Sequence, residues 1–397
     1  MAVRPLVIGV DGTTWWNLRG FGRFTRSLLG AMIAEGRNHD FVLFVDRLPA
    51  PEMLAANVRV VEVGTSSTVT AAAVADNNRS VKDLLAFRKA VRAVTLDVFW
   101  FPAVYSWYPT GGRAPVVVTF HDAIAEHFTG LVMPSMRDRL FWNLKTRLAR
   151  ASAEKIVTVS QSAREEIRTY LGVSRDRISV VFEAAEARFV PIRNPCELVA
   201  MREALKLKPN RRRILYVGGI APHKNLLGFL EGFARAILSP GCDDIDLVIA
   251  GDPQGDGFHS NTQRLLDRAA DPALDGRIQF TGFVSDDLLP ALYSDALAVA
   301  MPAFSEGFGL PAAEAIACGT PVIATDGGAV AEVVAGAGLF FDPHDPDDIA
   351  SAISTLATDR ALEVRLRAAC LPRANEMSWK RSASEMIDLL ERCARRS

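Results

Sequence analysis

Ser305-Glu-Gly-Phe-Gly-Leu-Pro-Ala-Ala-Glu-Ala-Ile-Ala-Cys-Gly-Thr-Pro-Val-Ile323 sets two glutamates, Glu306 and Glu314, eight residues apart around a glycine loop and a proline. Pro311 suits the first position of a helix, where its missing N–H costs nothing. Gly307-Phe308-Gly309 ahead of it lets the backbone come close to a ligand. A helix N-terminus behind such a loop offers N–H groups and a partial positive charge, a natural seat for phosphate. Glu306 is then expected in the loop and Glu314 in the first helical turn, flanking that seat. Carboxylates beside a phosphate repel it unless they hold something else, and sugar hydroxyls meet that need. Glu314 alone has a plain structural reading, because the helix dipole favours acids in a first turn. The combination points to a nucleotide sugar.

Outward from this stretch, short β-branched runs alternate with longer amphipathic segments, the mark of an α/β chain with parallel sheets. In the first half strands are predicted near 6–10, 41–45, 58–63, 97–101, 115–120, 155–159 and 178–182. The second half gives 213–217, 245–249, 277–281, 297–300, 321–324 and 338–341. Val190-Pro-Ile-Arg-Asn-Pro195, with its two prolines, reads as the linker. The expectation is two doubly wound domains, 1–190 and 191–376, followed by an amphipathic helix over 377–397. Ser378 starts that helix, and Trp379, Met386, Leu389 and Leu390 supply its packing face. Residues 64–80 are small and polar and read as a mobile loop. Ligands of such sheets bind at the carboxyl ends of the strands, so a cleft between the domains is the expected site.

The chain has 397 residues, enough for two ordinary domains, and a net charge of −1. Residues 1–190 carry 24 Lys and Arg against 18 Asp and Glu, net +6, and the remainder 21 against 28, net −7. The basic half suits an anionic acceptor or a membrane surface, or is an ordinary solvated surface. Nucleic acid is not an expected partner. Cys196, Cys242, Cys318, Cys370 and Cys393 are scattered, with no C-x-x-C and no metal-ligand spacing, as in a reduced intracellular chain. Leu6-Val-Ile-Gly-Val10 enters a strand with no signal-peptide layout, and no apolar run approaches the length of a membrane span. The expected location is cytoplasmic, with peripheral contact on the inner face of a membrane left open.

Several strand ends carry chemistry. Leu215-Tyr-Val-Gly-Gly-Ile-Ala-Pro-His-Lys-Asn225 reads as a strand, the glycine pair Gly218-Gly219, then Lys224 at a helix start. A lysine there neutralises a diphosphate leaving group, although a solvated loop lysine is the plain alternative. Val116-Val-Val-Thr-Phe-His-Asp122 ends a buried strand with His121 and Asp122, placed as substrate contacts. Asn17-Leu-Arg-Gly-Phe-Gly-Arg-Phe24 puts Gly20, Gly22 and Arg23 in a loop opening the first helix. Thr25 replaces the third glycine of a dinucleotide fingerprint, so this loop suits a phosphate or an acceptor rather than a Rossmann cofactor. Among Phe99, Trp100, Phe101, Tyr105, Trp107 and Tyr108, the phenylalanines read as core and Trp107 and Tyr108 as acceptor contacts. The stretch 137–155 interleaves basic residues with Phe141, Trp142, Leu144 and Leu148. It reads as a core-facing amphipathic helix, with a helix lying on a membrane as the second reading.

These residues resemble the retaining glycosyltransferases of family 4, which have the GT-B fold. The resemblance runs through Gly20-x-Gly22-Arg23, Thr119-Phe-His-Asp122, Val157-Thr-Val-Ser-Gln161 and Leu215-Tyr-Val-Gly218 with Lys224-Asn225. It continues through Phe280-Thr-Gly-Phe-Val284, the Glu306–Glu314 stretch ending Gly319-Thr-Pro-Val-Ile323, and Met377-Ser-Trp379, the start of a terminal helix that crosses back to the first domain. It implies a first domain that binds the acceptor and a second that binds a nucleoside diphosphate sugar. Glu306 would hold the sugar hydroxyls, Glu314 the ribose and Lys224 the diphosphate. The backbone from Gly307 through Phe308 and Gly309 to Leu310 would line sugar and phosphate. Phe283 and Val284 would lie near the base, and His121 near the reacting carbon. Many members pair the lysine with an arginine, and here those positions hold Gly219 and His223. Diphosphate neutralisation then rests on Lys224 and the helix dipole, helped by Arg23 or a protonated His223.

The implied reaction is transfer of a hexose with retention, from a GDP- or UDP-linked donor to a hydroxyl of a glycan, a lipid-linked acceptor or a small molecule. GDP-mannose is preferred on the mannosyltransferase-like pattern. No cofactor is expected, and no Asp-x-Asp ends a strand to hold a metal. The alternatives are a nucleotide-sugar epimerase or hydrolase, and a non-catalytic nucleotide-sugar-binding subunit. A nicotinamide dehydrogenase is more distant.

Overall fold

A computed structural model describes residues 4–17, 20–35, 37–48, 57–65, 80–133, 135–252, 259–274 and 276–395. Most of the loop expected over 64–80 lies outside them. The strands form where the β-branched and aromatic runs stand. In the first half they are β1 (Val7–Asp11), β2 (Asp40–Val45), β3 (Val58–Glu62), β4 (Val98–Phe101), β5 (Val116–Thr119), β6 (Ala153–Thr158) and β7 (Ile178–Val180). The second half has β8 (Arg212–Val217), β9 (Ile245–Ala250), β10 (Ile278–Phe280), β11 (Ala298–Met301), β12 (Val322–Thr325) and β13 (Gly338–Phe341). Five helices carry the argument and are labelled in chain order: α1 (Gly20–Ala34), α2 (Met136–Ser152), α3 (Leu226–Ala236), α4 (Leu310–Ala317) and α5 (Trp379–Ala394).

The chain divides into two compact units, each with one sheet. The first comprises Met1–Thr129, Met133–Glu183 and Ser378–Ser397, and the second Gly130–Val132 and Ala184–Met377. The division falls between Glu183 and Ala184, ahead of the Val190–Pro195 stretch. That stretch belongs to the second unit, where the Asn194 side chain caps the helix Pro195–Ala204.

In the first unit the strand order is β3-β2-β1-β4-β5-β6-β7, and in the second β10-β9-β8-β11-β12-β13. The ladders are parallel, so both sheets are doubly wound, with chain order reversing beside β1 and beside β8. Buried on both faces, the central strands are continuous apolar runs. β9 is buried along its whole length, and β4 contributes Phe99, Trp100 and Phe101 to the interior.

α5 completes the first unit. Met386, Leu389 and Leu390 are buried, Phe24 of α1 meets Trp379 edge to face at 6.1 Å, and Ser382 Oγ donates to the Phe182 carbonyl at 2.6 Å. His39, fully inside, bridges the Leu6 amide (3.2 Å) and a Glu391 carboxylate oxygen (3.2 Å).

α2 departs from the core-facing expectation. It buries only Thr146 and Ala149, while Leu140, Phe141, Leu144 and Leu148 are exposed. The small residues let the helix approach β5 and β6 closely, and this turns its large apolar side chains outward. No helix among the described residues is long and apolar enough to cross a membrane.

Candidate active site

In the second unit the loops after β8, β11 and β13 meet at the carboxyl edge, on the side where the order reverses. β8 runs into Gly218 and the exposed Gly219, whose carbonyl accepts a 2.7 Å bond from Tyr216 Oη. A three-residue turn, Pro222–Lys224, follows, and α3 begins at Leu226. Lys224 thus lies in the turn rather than at the helix start. Phe304, after β11, donates its amide to the His223 carbonyl at 2.9 Å, fastening the two loops together. Asn225, left-handed at φ +52°, donates its side-chain amide to the Pro343 carbonyl beyond β13 at 2.9 Å. The Phe304 ring stacks on His344 with centroids 4.9 Å apart.

Lys224 Nζ lies 2.7 and 2.8 Å from the two carboxylate oxygens of Glu306, so both groups meet in a partly buried ion pair. Beside the lysine, His223 does not add charge. Burial, with the Lys224 ammonium second, pushes its imidazole down to about 3, which corrects the expected protonated form. Its buried Nδ1 has no hydrogen-bond partner among the described residues.

The Gly307–Leu310 backbone leads into α4. Gly307, Phe308 and Gly309 are buried and Leu310 is half-buried. Gly309 takes φ +94°, and a Cβ there would stand 3.0 Å from Val330 Cγ2. Glycine is needed on both counts. α4 starts at Leu310, so Glu314 is its fifth residue and lies past the first turn expected for it. Its carboxylate is buried and accepts a 2.7 Å bond from Tyr293 Oη. Burial, together with Glu314, pushes the neighbouring Cys318 thiol up to about 12. The two glutamates of one motif therefore have different surroundings, Glu306 half-buried in the loop and Glu314 fully inside. Phe283 and Val284 also divide: the ring of Phe283 is exposed and Val284 is core.

In the first unit the corresponding edge carries His121. Its Nε2 lies 2.9 Å from the Pro102 carbonyl and its Nδ1 3.3 Å from a Glu183 oxygen. Phe24 and Phe21 pack edge-on against the ring at 4.7 and 4.9 Å. Asp122 accepts the Ile124 amide at 3.0 Å, just ahead of the short helix that follows. Gly20 and Gly22 lie in the first turn of α1 rather than in an open loop, with the part-buried Arg23 after them. A Cβ on Gly22 would fall 1.7 Å from the Asn17 carbonyl oxygen, so this glycine serves the chain's own close approach.

The aromatic assignment also changes. Trp107 and Tyr108 are core residues, whereas Tyr105 is exposed and packs, tilted, between Phe21 (4.8 Å) and Trp142 (4.9 Å). Glu183, Tyr293 and the Phe21–Tyr105–Trp142 line were missed from sequence. Only Glu183 had a signal, its place just past a strand. A hollow of about 360 Å³ lined by Trp107–Gly112 and Ala151–Glu154 lies at the amino ends of β5 and β6, the edge opposite His121.

A carboxylate–ammonium pair a few residues ahead of a glycine-led helix, at the switch point of a doubly wound sheet, is an arrangement whose chemistry suits a sugar phosphate. The family comparisons agree. A model of "Glycosyl transferases group 1" matches residues 200–372, and one of "Glycosyltransferase Family 4" matches residues 18–184. The chain belongs to the family 4 glycosyltransferases, and its two sheets are those of the GT-B fold. It is similar to the O-antigen chain mannosyltransferase B of Escherichia coli, with 31% identity over 238 residues and 60% of each chain covered. It also resembles the D-inositol 3-phosphate glycosyltransferase of Rhodococcus opacus (strain B4), at 26% identity over 294 residues, 73% of this chain and 65% of that one. The chain thus spans less than two thirds of the length of these curated relatives. Among solved structures, Alr3699/HepE of Anabaena in complex with UDP and glucose has a TM-score of 0.73 at 17% identity, covering 97% of this chain and 98% of that one.

Proposed function

We propose that this glycosyltransferase moves a hexose, with mannose preferred, from a nucleoside diphosphate sugar to an acceptor hydroxyl in glycan or polysaccharide synthesis, with retention at the anomeric carbon. The observation that carries this reading is the Lys224–Glu306 pair ahead of Gly309 and α4. The mannosyltransferase name of one relative supports the sugar, and the UDP and glucose in the HepE structure are consistent with a nucleotide-sugar donor of either base. GDP-mannose is the preferred donor and UDP-sugars the next. The protein works in the cytoplasm, and its acceptor is a glycan, a lipid-linked sugar or a small molecule.

In this reading the donor diphosphate draws Lys224 partly away from Glu306, which turns its oxygens to the sugar hydroxyls. Glu314 serves the ribose side and Phe283 the base. The bond from the anomeric carbon to the diphosphate oxygen lengthens first, giving an oxocarbenium-like centre. The acceptor oxygen attacks from the same face, and its proton passes to the departing diphosphate. Lys224 and the N-terminus of α4 meet the growing negative charge without a metal, and loss of one such donor typically costs about 10²–10³ in rate. His121, whose ring is held between Pro102 and Glu183, is the residue this reading assigns to the reacting carbon.

The test is a thermal-shift panel of GDP, UDP, ADP and dTDP with their sugar conjugates, followed by turnover with the donor that binds. One nucleotide raising the melting temperature above the rest, with sugar transferred in the α-configuration of an α-linked donor, is the expected result. Inversion would overturn the mechanism. The neutral His223 favours one rival, a non-catalytic binding subunit, and tight donor binding without turnover on any acceptor would select it.

A further inference from the structure

α2 carries an exposed apolar stripe that has no cover among the described residues. Met136, Leu140, Leu144 and Leu148 recur every four residues and so share one face. They are 75%, 70%, 53% and 47% exposed, with Phe141 beside them at 47%. Scattered exposed leucines are ordinary, but five large apolar side chains in one line mark a contact surface. The helix also has five basic residues (Arg137, Arg139, Lys145, Arg147, Arg150) against one acid, Asp138. Three of the basic heads are engaged on the protein: Arg139 donates to the Met133 carbonyl, Lys145 to Tyr105 and Arg150 to Thr146. Arg137 and Arg147 stand exposed at the borders of the stripe, and the Arg137 guanidinium lies over the Phe141 ring at 5.6 Å.

We infer that this face of α2 docks on an anionic lipid surface, its apolar stripe in the headgroup–acyl boundary and Arg137 and Arg147 on the phosphates. A convex apolar stripe bordered by arginines is the pattern of a helix lying in a membrane interface. Charge argues against a second copy as the occupant, because a two-fold contact through this face would set one helix of net +4 against another. The same helix carries Trp142, from which the contacting rings of Tyr105 and Phe21 lead to His121. A helix seated on the bilayer thereby connects the lipid surface with the candidate acceptor side. This deepens the transfer reading by selecting the lipid-linked acceptor, and it rests on that reading for the acceptor alone.

The experiment is co-sedimentation of the full chain with vesicles of phosphatidylglycerol and phosphatidylcholine, and with phosphatidylcholine alone. Wild type is expected to pellet with the anionic vesicles at low salt, to be released by raised salt, and to stay in solution with the neutral ones. The double variant Leu140→Asp/Leu144→Asp is expected to lose at least tenfold in vesicle binding at an unchanged melting temperature, since both positions are exposed. Arg137→Glu/Arg147→Glu is expected to do the same for the anionic vesicles. Wild type remaining in the supernatant, or a double variant that binds as well as wild type, would overturn the inference. So would a dimer in size-exclusion chromatography that Leu140→Asp/Leu144→Asp dissolves, which would assign the stripe to a second copy. The nucleotide-induced melting shift, read on the same samples, is independent of the vesicles. Its absence counts against the transfer reading and leaves the docking result standing.

Discussion

Lys224 and Glu306 join the carboxyl ends of two neighbouring strands, β8 and β11, through two hydrogen bonds of 2.7 and 2.8 Å. In the proposed reading, this pair holds the lysine charge on a carboxylate until a donor diphosphate takes it up. Glu306→Ala is expected to bind the free nucleoside diphosphate at least as tightly as wild type, while transfer falls by about 10²–10³. Lys224→Ala is expected to weaken nucleoside diphosphate binding by about tenfold or more, roughly 1.4 kcal/mol. Titration calorimetry and turnover separate the two. Normal turnover in Glu306→Ala would remove that residue from the chemistry, and an unchanged dissociation constant in Lys224→Ala would move the phosphate elsewhere.

His223 makes a pH prediction with a definite sign. Its imidazole is pushed down to about 3 in the folded protein, whereas the unfolded chain takes up a proton near the ordinary value of 6.5. Between those values the unfolded state binds more protons, so this residue's contribution is present above pH 6.5 and is lost as pH falls. His223→Asn should therefore narrow the stability difference between pH 7 and pH 5 seen in urea melts. An equal difference in both proteins would show that His223 titrates normally.

Gly309 and Gly319 offer a matched pair of substitutions. Both have positive φ, +94° and +77°. An alanine at either position pays a backbone penalty of about 1–2 kcal/mol. At Gly309 the new Cβ would also press on Val330, whereas at Gly319 the nearest atom is Pro191 Cγ at 3.7 Å. Gly309→Ala should thus lower both the melting temperature and nucleotide affinity, and Gly319→Ala the melting temperature alone. Equal affinity losses in the two would argue that the loop before α4 does not line the nucleotide.

Tyr293→Phe removes the hydroxyl that bonds the buried Glu314 carboxylate, at an expected cost of about 1–3 kcal/mol in stability. Glu314→Gln keeps the shape and tests the ribose contact. A nucleotide with a 2′-deoxyribose should lose less affinity than its ribose counterpart on that change. Equal losses would make Glu314 a structural residue.

The strands were legible because each is a short β-branched or aromatic run closed by polar or glycine residues, and the pattern is local. Glu306 and Lys224 were legible for the same reason, each following a strand by a few positions. The pairing between them was not, since a contact across 82 residues leaves no mark in either segment. Tyr105, Trp107 and Tyr108 show the limit well. All three are aromatic and nearly adjacent, and only the packing against Phe21 and Trp142 decides which one stays outside. α2 misled because amphipathic periodicity gives the apolar face but not the direction in which it points. His223 was misread because burial, the larger cause of its lowered imidazole, is a property of the folded packing that its local sequence does not show.

His39 and Glu391 touch across 352 residues of chain, and everything in the second unit is encoded between them. On a ribosome the first sheet therefore emerges early but lacks the helix that covers α1 until α5 has been made. During that interval Phe24 lacks its Trp379 neighbour, while the second unit, contiguous apart from Gly130–Val132, can close as soon as it leaves the exit tunnel. The half that starts first in translation is the half that finishes folding last.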